Sequence, residues 1–309
     1  MDLRLTSDQA ALLAAIDGLS ARFQEMPGDF RGFALESVEL ARELTDGEYF
    51  DIATTPGLGP VGAALAVERL ARLPYTAEIA LSMLVRPHVL GGDMPRPFAL
   101  VERGRPGRFV GSAMTLLVPD GASFGVALAR PDAVQPVESI YAYPMAKAVR
   151  ELPTKPLSAK EASEARTWLR VALAAEAAGL IQAAIDSTVA HLSARLQFGR
   201  PLGTFQALRH RLAECAVLAG GVKWLALKAA STADAGDAAL AAFHAQDSAT
   251  RVAYDLHQML GAMGMTLEHP LHLWTYRLKA LISELGGRGG QANAVGRHCF
   301  AGGDECRNR

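Results

Sequence analysis

Two segments of the sequence place polar side chains beside glycines at spacings that could serve chemistry. The first runs from Arg195 to Gln206 and reads R-L-Q-F-G-R-P-L-G-T-F-Q. The second runs from Gln258 to Pro270 and reads Q-M-L-G-A-M-G-M-T-L-E-H-P. Each puts a guanidinium or an amide at a predicted helix end, where bare N–H groups suit an anionic diphosphate. Two helix–loop–helix connections with glycine caps explain the same residues equally well.

Two other patterns carry less information. Residues 57–62 read G-L-G-P-V-G, which matches the dinucleotide fingerprint G-x-G-x-x-G, but the run before them is poor in Val and Ile and ends in Pro56. Because that fingerprint needs a strand before it, we predict a plain loop. His269 and His272 have helical spacing for a metal but lack a matching ligand set, so the sequence predicts no metal site.

Hydrophobic periodicity predicts a mainly α protein with a small β segment. Helices are predicted over 6–25, 33–44, 61–73, 76–91, 159–195, 204–233, 236–263 and 269–285. Short apolar runs between prolines and glycines predict strands at 98–102, 108–113, 115–118 and 123–129. Antiparallel pairing is expected because no helix intervenes. The Gly-rich last 25 residues are expected to fray.

These elements predict three parts, namely an N-terminal helical domain (1–91), a shortened antiparallel β domain (92–156) and a C-terminal four-helix bundle with a flexible tail (157–309). The 31 Lys and Arg balance 32 Asp and Glu, so no nucleic acid or anionic membrane is expected as a partner. No run approaches the roughly 18 uncharged apolar residues of a membrane span.

The three cysteines, Cys215, Cys299 and Cys306, form no C-x-x-C pair. An odd number without such pairing favours a reducing compartment. We therefore expect a cytoplasmic protein, and the sequence assigns no role to Cys299 or Cys306.

The two segments together, R-x-Q-F-G-x-P-x-x-x-F-Q and then Q-x-L-G-x-x-G-x-T-x-E-x-P, resemble the C-terminal domain of the acyl-CoA dehydrogenase family. The similarity extends over about residues 153–286, and the N-terminal helices resemble that family's helical domain. The resemblance implies an α domain, a β domain and a four-helix bundle, with FAD lying across a subunit interface.

In that family the motif residues reach the FAD of the neighbouring subunit. The resemblance carries this role to Arg195, Phe198 and Gln258, with the backbone at Gly261 and Ala262. Ala262 stands where the family has the second glycine of a pair, and its methyl group would crowd a phosphate.

Acyl-CoA dehydrogenases remove an α-proton with a glutamate in a dry site while a hydride passes to the flavin. The commonest base position of the family falls on Leu285, and Glu284 is one residue early. One residue turns a helical side chain by about 100°, so Glu284 is expected to face elsewhere unless the helix end is bulged. The alternative base position falls on Leu169, and Glu176 is expected to be an interfacial or capping charge. Only Glu284 remains as a candidate base.

Segment 92–156 is shorter than the family's usual β domain and lacks the T-E-P-x-x-G-S-D stretch that contacts flavin and substrate in typical members. In these respects the chain resembles the short, non-catalytic subunit of heteromeric α2β2 acyl-CoA dehydrogenases of bacterial steroid degradation. The resemblance implies a longer partner subunit, FAD shared at the interface, a bulky steroid-derived acyl-CoA substrate and an electron-transfer flavoprotein as acceptor. Two alternatives remain, a self-sufficient homomeric dehydrogenase that uses Glu284 and a cofactor-free scaffold paralogue.

Overall fold

The computed structural model describes residues 4–31, 33, 35–89, 94–102, 104–111, 113–150 and 152–301. The N-terminal part contains four α-helices, α1 (Ser7–Ser20), α2 (Val38–Asp46), α3 (Gly59–Leu70) and α4 (Ala80–Leu84). The predicted capping box of Thr6 and Gln9 begins α1.

Two of these helices, α2 and α4, begin at least four residues later than predicted. Helix α2 begins at Val38 because the chain just before it is extended and bridges Thr76, after which the Ser37 hydroxyl accepts the hydrogen bond of Leu40 N. Helix α4 begins at Ala80 because the carboxylate of Glu78 accepts hydrogen bonds from the N–H groups of residues 81 and 82. The predicted boundary between residues 91 and 92 lies outside the described residues.

The middle part contains two small sheets. Its strands are β1 (Phe98–Leu100), β2 (Gly107–Arg108), β3 (Thr115–Asp120), β4 (Ser123–Leu128), β5 (Val134–Val137), β6 (Met145–Ala148) and β7 (Lys155–Pro156). They pair in the orders β1-β3-β4-β7 and β2-β6-β5.

Strands β1 and β3 pair in parallel, with Phe98 opposite Thr115, so the expectation of antiparallel pairing is wrong for this pair. The described chain between them visits the second sheet through β2 and then returns in the same direction. That excursion supplies the long crossover that a parallel pair needs without using a helix.

The C-terminal part is a helix bundle. Its helices are α5 (Ala159–Ala194), α6 (Gln206–Thr232), α7 (Ala235–Leu260), α8 (His272–Ser283) and α9 (Gly287–Ala301), and the strands β8 (Leu196–Gln197) and β9 (Arg200–Pro201) connect α5 to α6. Helix α5 contacts α6, α7 and α8 within the bundle and α3 outside it.

Helix α5 also meets the length and composition of a membrane span, with a mean hydropathy of 1.4 over 18 residues. The helix is not one uncharged run, because Glu176 and Asp186 interrupt it. In addition, 89% of that window is buried inside the protein, which is typical of a core helix.

The expectation that the last 25 residues fray is wrong for residues 287–301. Helix α9 packs on α7 and α8, and Gln291 is only 1% exposed. The Gln291 side chain donates a hydrogen bond to the carbonyl oxygen of Leu285 at 2.8 Å and accepts one from Nε of Arg170 at 2.8 Å. Cys299 is exposed on α9, and Cys306 lies outside the described residues.

Gly179 lets α5 and α3 approach closely. A Cβ at this position would overlap the carbonyl oxygen of Glu68 and lie 2.9 Å from Cβ of Ala71. We predict that Gly179→Ala lowers the free energy of unfolding by about 2 kcal/mol, because overpacking against a backbone outweighs the better helix propensity of alanine. Urea denaturation followed by circular dichroism measures this change.

Gly220 in α6 is the matched control, since a Cβ there meets no atom within 4 Å. Gly220→Ala is expected to stabilise the protein by up to about 1 kcal/mol. If both alanine variants were as stable as the wild type, close packing at Gly179 would be refuted.

His88 gives the fold an acid-sensitive contact. Its ring stacks on Trp168 of α5, with centroids 4.0 Å apart, and its buried Nε2 has no hydrogen-bond partner among the described residues. Burial lowers the pKa of His88 from 6.5 to about 4. Between these values the unfolded chain binds a proton that the folded chain does not, so stability falls as the pH falls.

We predict that His88→Phe, which keeps the ring on Trp168, reduces this acid sensitivity. Between pH 7 and pH 5 the wild type should lose more stability than the variant, as measured by urea denaturation with tryptophan fluorescence at both pH values. Equal losses in the two proteins would contradict the assignment of this proton to His88.

Candidate functional site

One buried arginine binds two glutamates, of which Glu176 is buried and Glu284 is partly exposed. Arg108 of β2 is 8% exposed. Its Nη1 donates to both carboxylate oxygens of Glu176, at 2.9 and 3.1 Å. Its Nε and Nη2 donate to the two oxygens of Glu284, at 2.5 and 3.2 Å. Burial alone would lower the pKa of Arg108, but the two carboxylates raise it well above its usual value.

Tyr143 and Arg277 complete this buried cluster. The Tyr143 hydroxyl donates to Glu176 Oε1 at 2.6 Å, and burial followed by the charge of Glu176 raises the pKa of Tyr143. Arg277 is 2% exposed and donates hydrogen bonds to three backbone carbonyl oxygens. Burial lowers the pKa of Arg277 to about 10, so it stays charged at neutral pH. Two positive and two negative side chains therefore balance each other in the interior.

Glu284 enters this cluster because α8 ends one residue before it. Its backbone is extended (φ −69°, ψ 155°) and Leu285 is left-handed (φ 55°). The helix does not continue through Glu284, so the stated exception of an irregular helix end applies, and the carboxylate turns to Arg108. The expectation for Glu176 is wrong, since its carboxylate is buried against Arg108. Leu169 is buried in the hydrophobic core. Leu285 is partly buried and packs against that core.

The space beside the cluster is small. A cavity lined by Glu78, Arg108, Phe109, Glu176 and Glu284, among others, has a volume of ≈ 20 Å³. That volume is enough for about one water molecule, whereas cofactor pockets are roughly 300 Å³ or larger. The residues around Glu284 do not fit an isoalloxazine ring or a thioester within this chain.

The Arg195 segment lies on the surface at the end of α5. Phe198 and Gly199 both have positive φ (55° and 77°) and form the two-residue turn between β8 and β9. Phe198 is 88% exposed, and a bulky residue in this conformation is uncommon. Arg195 pairs with no carboxylate among residues 4–301 as described. An unpaired guanidinium and an exposed ring suit a ligand outside the chain.

The Gln258 segment lies at the same end of the bundle, because α5 and α7 run in the same direction with α6 between them. Gln258, Gly261 and Ala262 line an open groove of ≈ 620 Å³ together with Tyr254 and Met265, which are 68% and 84% exposed. Gly261 has φ 61° and ψ −133°, a conformation that favours glycine. A glycine turn, an amide and open apolar surface fit part of a dinucleotide cofactor such as FAD.

Gln258, Gly261 and Ala262 thus share one groove. Arg195 and Phe198 lie at the same end of the bundle but do not line that groove, and Glu284 lies in the cluster with Arg108. The 57–62 pattern follows a 3-10 helix and runs into α3, so it does not form the strand–loop–helix of a dinucleotide fold. Among the described residues, no group of three or more His, Cys, Asp or Glu side chains could hold a metal. His269 instead packs its ring on His191.

Sequence reasoning did not identify Arg108 and Tyr143 as site residues. Arg108 borders a predicted strand whose other members are apolar, and a charge on a buried strand requires a partner. That signal indicates a buried ion pair, but no spacing in the sequence indicates that the partners are Glu176 and Glu284.

Residues 160–299 match a family described as the C-terminal domain of acyl-CoA dehydrogenases. Among curated relatives, the acyl-CoA dehydrogenase FadE34 of Mycobacterium tuberculosis is 34% identical over 213 residues, which are 64% of this chain and 30% of that protein. The matched part of the chain spans about a third of the length of the first such relatives.

Solved structures match nearly the whole chain. A variant of the Tcur3481–Tcur3483 steroid ACAD has a TM-score of 0.69 at 21% identity, covering 95% of this chain and 99% of that one. The ChsE4–ChsE5 complex from Mycobacterium tuberculosis has a TM-score of 0.69 at 20% identity, covering 96% and 98%. At these identities the likeness shows the fold, which confirms the predicted combination of N-terminal helices, small β part and helix bundle.

We predict that Arg108→Ala lowers the free energy of unfolding by about 3–5 kcal/mol, because it leaves two carboxylates in the interior without their partner. Arg105→Ala, which removes an exposed arginine that pairs with Glu102, is expected to cost less than about 1 kcal/mol. Urea denaturation of both variants measures the difference. A small, equal loss in the two proteins would show that the buried ion pairs are not formed.

Proposed function

We propose that the chain is one subunit of an FAD-dependent acyl-CoA dehydrogenase, because residues 160–299 match the C-terminal domain of that family and the chain has the fold of a solved steroid ACAD. In this proposal it acts with a longer related subunit in an α2β2 assembly and supplies no base of its own. The reaction is the α,β-desaturation of an acyl-CoA, in which the substrate loses a proton and a hydride.

The observation that carries the proposal is the state of Glu284. Both of its oxygens accept hydrogen bonds from Arg108, and the adjoining cavity holds about one water molecule. A catalytic base must reach the carbon-bound proton of the substrate. In this chain the one carboxylate near the family's base position has neither a free oxygen facing a substrate nor room for one.

The surface around Arg195 and Gln258 differs from the surroundings of Glu284 because its polar and aromatic groups are open to a ligand. Arg195 is unpaired among the described residues, Phe198 is exposed, and Gln258 lies beside the turn at Gly261. FAD, when bound there by the partner, supplies the hydride acceptor. Arg195 would offset the charge of its diphosphate, Phe198 would pack on its rings, and the Gln258 amide would hydrogen-bond it. The methyl group of Ala262 would narrow the space for a phosphate.

The relatives support a bulky substrate and a two-chain assembly. One structural neighbour is described as a steroid ACAD and another as a complex of two named proteins. The 213 matched residues are 30% of FadE34, so that protein is more than twice as long as this chain and has room for a second related unit. We therefore propose a steroid-derived acyl-CoA as substrate, an electron-transfer flavoprotein as acceptor and a cytoplasmic location.

Expression of the chain alone and together with a longer related subunit tests this function. We expect a colourless protein alone, and a complex that contains flavin and oxidises acyl-CoA when both chains are present. The visible spectrum and the native mass are the measurements. A yellow homo-oligomer whose turnover is lost in Glu284→Gln would favour the homomeric enzyme, and a complex without flavin would favour the scaffold.

We predict that Arg195→Ala weakens FAD binding to the two-chain complex by about tenfold or more, because a charge-assisted contact to the diphosphate is lost. Lys228→Ala is the control, since Lys228 pairs with Asp237 at the opposite end of the bundle. Flavin content after gel filtration and FAD titration of the apo complex measure the effect. Equal FAD retention in both variants would contradict the assigned role of Arg195.

A further inference from the structure

A basic groove lies on the side of the bundle where α9 crosses α5. It has a volume of ≈ 730 Å³ and is open to solvent. Arg166 and Arg170 reach it from α5, Arg297 and His298 reach it from α9, and the turn between β3 and β4 closes one end. None of these residues belongs to the buried cluster or to the surface around Arg195.

The three arginines have no acidic partner in the part of the chain that the structure describes. Arg166 donates to the carbonyl oxygen of Ala122 at 2.5 Å, and Arg170 donates through Nε to Gln291. Asp234 lies 3.6 Å from His298, and the same carboxylate oxygen caps α7. Burial, followed by the charges of Arg166 and Arg297, lowers the pKa of Arg170 to about 10. The arginines therefore repel one another, and no carboxylate among the described residues pairs with them.

The groove also has a fixed floor. Arg170 is held through Nε by Gln291, and Gln291 is 1% exposed and bonded to the backbone of Leu285. This arrangement leaves both Nη groups of Arg170 without a hydrogen-bond partner among the described residues. A guanidinium held in this way loses little side-chain entropy when it binds an anion.

The charge of the groove is local. The chain has 31 basic and 32 acidic residues, so a general excess of arginine does not explain three unpaired ones in one place. Several surface arginines elsewhere have carboxylate partners, as Arg288 has in Asp247 and Arg251 has in Glu214, whereas Arg195 has none among the described residues. Nothing in the described part of the chain supplies the anion that such a set of guanidinium groups would bind.

We propose that this groove is a binding site for a small phosphate-bearing molecule. Planar guanidinium groups bind phosphate oxygens in pairs, and a phosphate carries enough charge to offset more than one arginine. The volume of the groove falls in the range of pockets that hold nucleotide-sized ligands. The phosphate group could therefore come from inorganic phosphate or from a nucleoside diphosphate. This site does not depend on the proposed dehydrogenase function.

Isothermal titration of the purified full chain with inorganic phosphate, pyrophosphate and ADP at constant ionic strength tests the site. We expect saturable binding, with ADP tighter than inorganic phosphate if the source is a nucleotide and no tighter if it is free phosphate. Absence of saturable binding by all three probes up to about 10 mM, well beyond the range of a specific site, would overturn the proposal.

Two variants locate the binding. Arg297→Ala removes an exposed arginine and should weaken phosphate binding by about tenfold or more. Arg170→Lys keeps the positive charge but loses the paired N–H donors of the guanidinium group, so it should also weaken phosphate binding. Arg288→Ala is the control, since Arg288 lies nine residues earlier on α9 and therefore on its opposite face, paired with Asp247. If Arg297→Ala and Arg170→Lys bound phosphate as the wild type does, the groove would not be the site.

Discussion

The ion pairs of Arg108 with Glu176 and Glu284 are the interaction on which the rest of the arrangement depends. They join β2, the middle of α5 and the turn after α8, so one side chain fixes the β part against the bundle. Buried ion pairs add little net stability compared with apolar residues of the same size, but they tolerate no missing partner. The cluster therefore specifies one relative position of these three elements more than it stabilises the protein.

The same interaction limits the chemistry of the interior. A carboxylate whose two oxygens both accept hydrogen bonds from a guanidinium is a poor acceptor for a carbon-bound proton, and the adjoining cavity has a volume of only ≈ 20 Å³. Polar groups that remain available lie instead on the surface, at Arg195, Phe198 and Gln258. The interior thus serves the fold, and the exposed end of the bundle presents the groups suited to a cofactor.

Features that depend on neighbouring residues could be predicted from the sequence, and features that depend on distant ones could not. The capping boxes at Thr6 and Ser158 and the length of α5 follow from local patterns. The partners of Arg108 lie 68 and 176 residues away, and no local spacing indicates them. Helix α9 contains glycines that favour fraying, but its packing on α7 and α8 overrides that propensity. The parallel pairing of β1 with β3 could not be predicted either, because it depends on a connection that passes through the second sheet.

Helix α9 explains why the turn after α8 keeps its shape. Leu285 has φ 55°, which costs roughly 1–3 kcal/mol for a non-glycine residue and persists only where the surroundings impose it. Three contacts impose this conformation. Gln246 of α7 donates a hydrogen bond to the carbonyl oxygen of Glu284, and Gln291 of α9 donates one to the carbonyl oxygen of Leu285. The third contact is the ion pair between Arg108 and the Glu284 side chain. Gln291 also accepts a hydrogen bond from Arg170. The turn at Leu285 therefore lies between the charge-balanced cluster around Arg108 and the basic groove around Arg170. A fraying α9 would release the turn, the direction of Glu284 and the floor of the groove together, so the C-terminal helix belongs to the site as much as α5 does.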